Sequence, residues 1–390
     1  MVFPLDTARV PLDADAAELV DRLCALALDG LPAMYRADSD EFVFTRAAAG
    51  ATTRPEQRGT STRYAAIVAL GAHWLGVDQQ RQVLGGHTVA EYVGLLIGRL
   101  PRVRNLGDAA LIAWAAAQTK HDDLPRALAA LKALDSDAGK PQYVVEAAWV
   151  VAALAAARPY ADVEAHLAAA RDRLLDSRHS GRALFPHATR AGLLPWYRSH
   201  VACYADQVYP IQALARLHRS GDDPAVLRAA TACADRICEL QGAGGQWWWH
   251  YDARTDKVVE GYPVYTVHQH AMGPMALLDL TEAGGPSYRE PIERGLRWIT
   301  DPLELRGAKT GPDGAEDIIR AADGVTWRKV YRGDPRKVVR AANGLTAKLL
   351  PGRQLPGVNR IYKPLAVDRE CRPYEFGWLF FAWLNREVAS

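Results

Sequence analysis

Helical segments of two kinds alternate along this chain, and this alternation constrains the fold more than any other feature. Segments with charged residues on one face alternate with segments that are apolar or small almost all round. An amphipathic helix lies at the surface of a protein, whereas a helix that is apolar on every face is surrounded by other protein. Six outer helices alternating with six inner helices close into an (α/α)6 barrel.

The amphipathic segments predict six outer helices: Asp15–Leu28, His87–Leu100, Leu124–Leu134, Asp162–Leu175, Pro224–Leu240 and Tyr288–Ile299. The apolar segments predict six inner helices: Tyr64–Leu75, Ala109–Gln118, Val144–Ala156, Ala202–Leu217, Val264–Leu280 and Pro373–Leu384. A closed toroid of six hairpins uses the whole length of 390 residues, and no linker divides the chain. We therefore predict one all-α domain over residues 1–390.

Two connections are too long for plain hairpins. The first, Ser177–Ser199, contains aromatic and histidine residues. The second covers residues 301–372, and within it Thr326–Arg332 and Lys337–Leu349 have strand-like patterns. We predict a small β-hairpin there, with a turn near Asn343-Gly344. Long connections in compact domains often form lids or binding loops, so this insertion is interpreted either as a lid or as a surface excursion.

The overall composition excludes several classes of protein. The formal net charge is +2 and no long basic run occurs, so electrostatic binding of nucleic acid is not expected. No apolar stretch is long enough to span a bilayer, and the first ten residues lack the pattern of a secretory signal. The five cysteines show no zinc-finger spacing, and we interpret them as reduced thiols of a cytoplasmic protein. We expect no metal and no cofactor; the oligomeric state stays open.

Carboxylates in the apolar inner helices are the first candidates for chemistry. The barrel brings the N-terminal ends of its inner helices to one mouth, where the helix dipoles add partial positive charge. Glu146 opens the third inner helix and Asp206 the fourth, each among apolar neighbours. Because these helices are adjacent, we expect the two carboxylates to face each other as catalytic acid and base. The structural alternative is that each caps a helix or pairs with an arginine.

Other charged and polar residues open neighbouring inner helices. Arg63 either holds a substrate carboxylate or phosphate, or neutralises one of the two carboxylates. Glu375, at the start of the last inner helix, is a third carboxylate at a place equivalent to those of Glu146 and Asp206. We expect Glu375, and Tyr64 at the start of the first inner helix, to line the substrate site. We interpret Asp108 as a helix N-cap rather than a catalyst.

Aromatic residues are concentrated before the fifth inner helix. The chain has 11 Trp against 7 Phe, and three of the Trp are consecutive. Flat aromatic faces stack on sugar rings and also suit a carbocation or an isoprenoid chain, whereas the structural alternative is a packed plug in the barrel mouth. The residues expected to contact substrate are Trp247, Trp248, Trp249, Tyr251, Tyr262, Tyr265 and Gln269, together with Tyr204, Gln207 and Trp378.

Two histidines begin the fifth inner helix. His268 and His270 are two residues apart, so on a helix they point in different directions and do not suit joint binding of a metal. We expect them to assist catalysis as a general acid or base. The alternative is that both are buried and hydrogen-bonded without a catalytic role.

The fifth hairpin resembles that of the six-hairpin glycosidase superfamily. Its outer helix ends at Leu240-Gln241, a Gly-rich turn leads to Gly245–Asp252, and a small-residue helix follows at Ala271–Leu278. Unsaturated glucuronyl hydrolases of that superfamily have a similar turn and helix. The resemblance implies a carbohydrate-active enzyme that acts on an oligosaccharide or glycoside. Its reaction would be hydrolysis, or else epimerisation or elimination. Cys203–Pro210 departs from the W-x-R-G-x-G-W stretch of those hydrolases, and this departure puts their hydration reaction in doubt. Sugar epimerases of the same fold use paired histidines.

A second resemblance points to a different enzyme class. Gln241, Gly245 and Trp247 fit the Q-x3-G-x-W pattern of the QW repeats in terpenoid cyclases, which also fold as α/α toroids. In those proteins the repeat stabilises the fold outside the active site. This chain has one clear copy and lacks the D-x-D-D and D-D-x-x-D motifs. A terpenoid-cyclase-like enzyme therefore stays as the second hypothesis, and an inactive barrel that binds a glycan or scaffolds a complex as the third.

Overall fold

The computed structural model describes residues 11–50, 53–137, 139–306 and 317–384. Its helices are α1 (Ala14–Gly30), α2 (Thr62–Ala72), α3 (Val77–Val83), α4 (Val89–Arg99), α5 (Leu106–Gln118), α6 (Leu124–Leu134), α7 (Val144–Ala157), α8 (Glu164–Asp176), α9 (Ala205–Gly221), α10 (Pro224–Glu239), α11 (Gly273–Glu282), α12 (Arg289–Thr300), α13 (Val338–Leu349), α14 (Val358–Ile361) and α15 (Pro373–Leu384). A π-helical turn, His268–Met272, leads directly into α11. No helix of these residues is both long enough and apolar enough to cross a membrane.

Six of these helices form a closed inner ring. Around the ring, α2, α5, α7, α9, α11 and α15 each contact the next, and α15 returns to pack on α2. Helices α1, α4, α6, α8, α10 and α12 are the six amphipathic partners. The predicted (α/α)6 barrel is therefore confirmed. All twelve predicted helices are present, with ends within four residues of those expected when the π-helical turn is counted with α11.

Inner and outer helices differ in burial as the sequence predicts. Almost all of α7, including Trp149 and all but one of its alanines, is buried. The outer helix α12 instead buries one face, which includes Ile292, Leu296 and Ile299. Small side chains allow each inner helix to touch neighbours on every side, and this close packing replaces water around apolar surface.

The contact between α2 and α15 closes the ring through two glycines. A Cβ atom added to Gly71 would overlap the backbone carbonyl of Gly377, and one added to Gly377 would lie 2.7 Å from the carbonyl oxygen of Ile67. Because the obstacles are backbone atoms of packed helices, they have little freedom to move aside. This seam requires glycine on both helices.

We expect Gly71→Ala to lower the free energy of unfolding by about 1–3 kcal/mol, because overpacking forces the two helices apart. The matched control is Gly98→Ala on the outer helix α4, where an added Cβ meets open space. There the better helix propensity of alanine should stabilise by up to about 1 kcal/mol. Urea unfolding of both variants measures the difference; equal effects would contradict the role of the seam.

Short antiparallel strands fill the connections that run from outer to inner helices. They are β1 (Tyr35–Arg36), β2 (Glu41–Phe42), β3 (Thr45–Ala47), β4 (Glu56–Arg58), β5 (Val201–Cys203), β6 (His250–Asp252), β7 (Lys257–Glu260), β8 (Val264–Tyr265), β9 (Ile319–Arg320), β10 (Val325–Thr326), β11 (Lys329–Tyr331), β12 (Ala366–Asp368) and β13 (Glu370–Cys371). Three small sheets have the strand orders β13-β3-β4, β5-β6-β7 and β12-β11-β8. They build the rim of the barrel at the end where the inner helices begin.

The insertion at 301–372 differs in part from the prediction. Strands occur within Thr326–Arg332 as expected, but Lys337–Leu349 was predicted as a strand and is almost entirely helix α13. Asn343-Gly344 lies inside that helix, so the predicted turn there is wrong; the hairpin is β9–β10 instead. The buried residues Val339, Asn343 and Ala347 are four apart, which is the period of a helix face. Here tertiary packing overrode the local turn signal.

Helix α13 is fixed to the rim through one buried carboxylate. Glu260 at the end of β7 is 2% exposed. It accepts hydrogen bonds from Asn343 of α13, from Arg332 at 3.0 Å and from the backbone of Tyr262 at 2.9 Å. The insertion is therefore anchored beside the mouth, and its role as a lid stays a prediction.

Candidate active site in the barrel mouth

Two carboxylates and an arginine from three consecutive inner helices meet in the mouth. Arg63 of α2 donates from Nε to Asp108 Oδ1 at 2.7 Å and lies 3.4 Å from Glu146 Oε1. Asn105 Nδ2 donates to the same Glu146 oxygen at 2.8 Å. The side chains of Arg63, Asp108 and Glu146 are 32%, 23% and 12% exposed, so a ligand in the mouth can reach them. The ring of Trp149 lies 5.3 Å beneath the guanidinium.

The first turn of α5 explains this arrangement and corrects one prediction. The N-cap is Asn105, whose side-chain oxygen accepts from the backbone N–H of Asp108. Asp108 therefore does not cap the helix, and its carboxylate is free to bind Arg63. The same Asn105 oxygen also accepts from Arg63 Nη2 at 2.6 Å. Of the two roles considered for Arg63, the structure places it as the counter-ion of the carboxylates.

Asp206 lies in the first turn of α9 and has different partners. It is fully buried, and its Oδ2 accepts from His187 Nδ1 at 2.8 Å and from the backbone N–H of Cys203 at 2.6 Å. The carboxylate of Asp206 raises the pKa of His187, and this effect exceeds the opposing effect of burial. Glu146 is instead bound by Arg63 and Asn105, so the two carboxylates have different partners. The expected pair is thus divided between two clusters.

His187 was missed as a site residue, although it lies in the long His-containing connection noted in the sequence. The connection is attached to the start of α7, because the backbone N–H of Val144 donates to the carbonyl of His187 at 3.1 Å. The His187 ring lies 5.2 Å from the ring of Tyr143 at the mouth. No short motif marks a residue 19 positions before Asp206 in sequence. Only the aromatic and polar composition of a long loop was a signal.

The two histidines of the π-helical turn are interior residues. Burial lowers the pKa of both His268 and His270 to about 3. The His268 ring packs 4.5 Å from Tyr204, whereas the backbone carbonyl of His270 accepts from Trp383 Nε1 at 2.7 Å. Both rings stay neutral near neutral pH.

Glu375 is a buried carboxyl group at the start of the last inner helix. It is fully buried, and its Oε1 lies 3.6 Å from Arg328 Nε. Burial raises the pKa of Glu375 to about 8, although Arg328 and Arg372 act in the opposite direction. Substrate therefore does not contact Glu375 directly in this conformation.

The raised pKa of Glu375 predicts a loss of stability with rising pH. Between about pH 4.5 and about pH 8 the folded state holds a proton that the unfolded state has released, so the free energy of unfolding falls through this window. Glu375→Gln should remove this loss, and the variant should gain stability over the wild type from about pH 5 to about pH 9. Thermal melting across that range measures it. The exposed Glu290→Gln control should follow the wild type, and a parallel Glu375→Gln curve would contradict the prediction.

Several aromatic residues expected to contact substrate are buried in the structure. Trp247, Tyr204, Tyr251 and Trp378 are all fully buried. Trp247 stacks on Tyr204 at 5.6 Å, and Trp378 packs against inner-ring aromatic residues. A side chain without accessible surface offers no face to a sugar, so we interpret these four as packing residues. For Trp247 this corresponds to the plug considered from sequence.

The glutamines of the site hold backbone groups. Gln207 accepts from the N–H of Phe185 and donates to its carbonyl, at 2.8 and 3.0 Å. Gln269 accepts from the N–H of Trp247 at 3.3 Å. Gln241 donates to the carbonyl oxygens of Gly245 and Pro291, both at 2.9 Å, as a stabilising QW element does. Because Gln207 and Gln269 are buried and used in this way, they fix the loops rather than face a ligand.

Other predicted aromatic residues do reach the surface of the rim. Tyr64 packs 4.7 Å from Tyr374 and accepts from Arg372 at 2.9 Å. Trp249 and Tyr265 lie 5.7 Å apart. Trp248 and Tyr262 form a separate pair, 5.8 Å apart; the hydroxyl of Tyr262 donates to Glu304 at 2.8 Å.

A cavity of about 310 Å³ opens beside Trp249 and Tyr265. Its lining also includes the cations Lys329, Arg332, Lys337 and Arg340, against the carboxylates Glu260, Asp334 and Asp368. The guanidinium of Arg340 lies 4.8 Å over the ring of Trp249. This cavity offers aromatic faces and positive charge to the same ligand.

Two arginines near this cavity repel each other. Burial and the charge of Arg198 lower the pKa of Arg340. Neither Arg198 nor Arg340 has a side-chain ion pair within 4.0 Å among the residues that the structure describes. Asp334 in the cavity lining acts on Arg340 in the opposite direction, and the guanidinium of Arg340 keeps hydrogen-bond donors for an anionic group.

Comparison with known proteins supports the fold. No family model matches the sequence, and no curated protein matches it. Among solved structures, the unsaturated glucuronyl hydrolase of Bacillus sp. GL1 is similar with 14% identity and a TM-score of 0.56, covering 94% of this chain and 97% of that one. The unsaturated glucuronyl hydrolase of Streptococcus agalactiae has 11% identity and a TM-score of 0.58, over 99% and 97%. A possible member of the GH105 family from Salmonella enterica has 11% identity and a TM-score of 0.54, over 98% of both. The resemblance to six-hairpin glycosidases is thus confirmed at the level of the fold.

Proposed function

We propose that this protein is a carbohydrate-active enzyme of the glycosidase type, acting in the barrel mouth on an oligosaccharide or glycoside with an acidic group. The observation that carries the proposal is the meeting of Asp108 and Glu146 at the guanidinium of Arg63, in a partly exposed site. Glycoside hydrolysis requires two carboxyl groups that act on opposite sides of one bond. One transfers a proton to the leaving oxygen, and the other activates water or attacks the sugar.

The proposed catalytic pair differs from the one expected from sequence by one residue. Glu146 is retained, and Asp108 replaces Asp206, because Asp206 is fully buried whereas Asp108 is partly exposed. Arg63 and Asn105 orient the pair through the contacts described above. Their guanidinium and amide groups hold both carboxylates in fixed positions, and such preorganisation is what positions reacting groups in an active site.

The acidic group of the substrate is assigned to the cationic and aromatic cavity beside Trp249 and Tyr265. Its volume of about 310 Å³ is near the lower end of the range for small-molecule sites. Trp249 offers a face for a sugar ring, and Arg340 offers charge to a carboxylate, whereas Lys329 already pairs with Asp368. The similar structures include a Streptococcus agalactiae unsaturated glucuronyl hydrolase variant in complex with dGlcA-GalNAc6S. A uronic acid is therefore our first choice for the acidic sugar.

Epimerisation by His268 and His270 is less well supported. A group whose pKa is about 3 is a weak base and holds no proton to donate near neutral pH. The cyclase hypothesis is also less well supported, because charged residues line the mouth and a carbocation requires an apolar, aromatic cavity. Carboxylate chemistry on a saccharide fits the charged lining better than either alternative.

The test is a thermal-shift screen followed by product analysis. The panels contain 4,5-unsaturated uronyl disaccharides, saturated uronides, neutral glycosides and polyprenols. A ligand at about one hundred times its dissociation constant stabilises by roughly 2.7 kcal/mol. We expect shifts confined to acidic saccharides, with release of the sugar product. Shifts with polyprenols alone would refute the proposal, and saccharide binding without turnover would favour the inactive barrel.

A further inference from the structure

Three potential metal ligands converge next to the proposed active site. One ligand atom each from His187, Cys203 and Asp206 lies within 4.8 Å of the other two. Asp206 is fully buried, and its Oδ1 has no hydrogen-bond partner among the described residues. A buried carboxylate oxygen without a partner destabilises the folded protein, because its hydrogen bonds to water are lost and no protein hydrogen bond replaces them.

The fold holds these three side chains through separate elements. His187 is fixed by the backbone bond to Val144 and by the bridge between Tyr143 and Ala188. Cys203 ends β5, whose partner strand is β6. Asp206 lies in the first turn of α9 and accepts from the N–H of Cys203 at 2.6 Å. The cluster therefore depends on the tertiary fold and not on a local motif.

We propose that this cluster binds a divalent transition-metal ion, with Zn²⁺ as the preferred ion. Imidazole nitrogen, thiolate sulfur and carboxylate oxygen are the three donor types that Zn²⁺ uses in proteins. Bonds of about 2.0–2.3 Å in a tetrahedron place ligand atoms about 3.3–3.8 Å apart. The present separations range from the 2.8 Å between His187 Nδ1 and Asp206 Oδ2 up to the 4.8 Å limit. The ligand set fits after small side-chain adjustments.

An ion pair alone accounts for only part of the geometry. It explains the contact of His187 with Asp206, but it leaves Asp206 Oδ1 without a partner among the described residues. An ion at the centre uses all three side chains. Three protein ligands leave the fourth position of a tetrahedral site open, which is the arrangement of catalytic zinc sites. The His187 side chain is 29% exposed, so solvent reaches one side of the cluster.

This inference is independent of the proposed substrate and departs from the expectation of no metal. It is tested with the metal alone and the full chain. After removal of metals by a chelator, the protein is titrated with Co²⁺ and then with Zn²⁺. We expect one Co²⁺ per chain, with the visible bands of a tetrahedral ion and a thiolate-to-cobalt charge-transfer band. Zn²⁺ should displace the ion and erase both signals.

Variants of the ligands separate a designed site from adventitious binding. Cys203→Ser should remove the charge-transfer band. Cys203→Ser and His187→Gln should each weaken Zn²⁺ binding by more than about 100-fold, which is more than the usual loss when a residue that only hydrogen-bonds to a metal ligand is replaced. The matched control is Cys238→Ser, since Cys238 is also partly buried but lies outside the cluster on α10. Because His187 is partly exposed, its variant keeps the test valid if Cys203→Ser unfolds. The absence of stoichiometric binding, or equal affinity in His187→Gln, would overturn the proposal.

Discussion

Glu146→Gln should lower kcat/KM for the saccharide substrate by roughly 10²–10⁴-fold, the usual contribution of general acid–base catalysis. The amide keeps the shape of the side chain and one oxygen for Arg63 and Asn105, so the fold should be unaffected. It neither gives nor takes the proton that the reaction needs. Asp108→Asn should produce a loss of the same order, because the two carboxylates act on one bond. Steady-state kinetics of both variants, with melting temperatures, measure the effect.

The control for this prediction is Glu164→Gln on outer helix α8. Glu164 is 58% exposed and pairs with Arg158 at 2.6 Å, so its replacement removes a similar ion pair far from the mouth. It should leave kcat/KM unchanged. If Asp108→Asn retains full activity while Glu146→Gln loses it, the proposed pair is wrong. A loss with Asp206→Asn in that case would restore the pair expected from sequence.

Asp135→Asn should lower the free energy of unfolding by about 3–5 kcal/mol at neutral pH, because it leaves a buried charge without its partner. Asp135 accepts from Gln142 at 2.6 Å, from His166 at 2.8 Å and from Arg173 at 2.7 Å. The side chains of Asp135 and Arg173 are only 1% and 7% exposed. The network fastens α8 to the connection between α6 and α7. Urea unfolding at neutral pH measures the loss.

The matched control replaces an exposed aspartate on α8, the helix that carries Arg173. Asp172 pairs with Arg171 at 2.8 Å, with side chains 57% and 35% exposed. Asp172→Asn should change the free energy of unfolding by less than about 1 kcal/mol, since exposed ion pairs contribute little. Equal effects of the two variants would show that burial does not determine how much these ion pairs contribute to the free energy of unfolding.

Low pH should reduce the contribution of the Asp135 network to the free energy of unfolding. Burial alone would raise the pKa of Asp135, but hydrogen bonds from His166, Arg173 and Gln142 outweigh it and lower the pKa below 3.8. The stabilisation is therefore complete above the unfolded-state value, near pH 4, and is lost as the pH falls through the lower folded-state value. In Asp135→Asn this part of the acid dependence should be absent.

The alternation of helix types was sufficient to predict the barrel. Each helix shows in its own sequence whether one face or all faces are buried, because burial acts on residues three and four apart. Chain order then assigns outer and inner positions without knowledge of contacts. The prediction at Asn343-Gly344 was wrong because the Asn-Gly pair favours a turn, whereas packing in the folded protein favours a helix. The four-residue spacing of Val339, Asn343 and Ala347 places them on a buried helix face.

The three consecutive tryptophans show that residue type alone does not predict the role of a side chain. Trp247 is buried against Tyr204, Trp248 pairs with Tyr262, and Trp249 lies over the cavity with Arg340. Their identical chemistry predicts one role for all three. The turn that carries them sends neighbouring side chains to different sides, so each has a different role.

The sequence by itself determined the twelve helices of the two rings and their inner or outer position. It also identified Glu146 and Arg63, because charged residues at the start of apolar helices stand out. Only the tertiary structure decided that Asp108 shares Arg63 with Glu146, and that His187 meets Cys203 and Asp206. The physical reason is range. Hydrophobic periodicity is set within a few residues of one helix. The partner of a charged side chain depends instead on its distance from groups on other helices of the ring, and these distances are fixed only when the chain has folded.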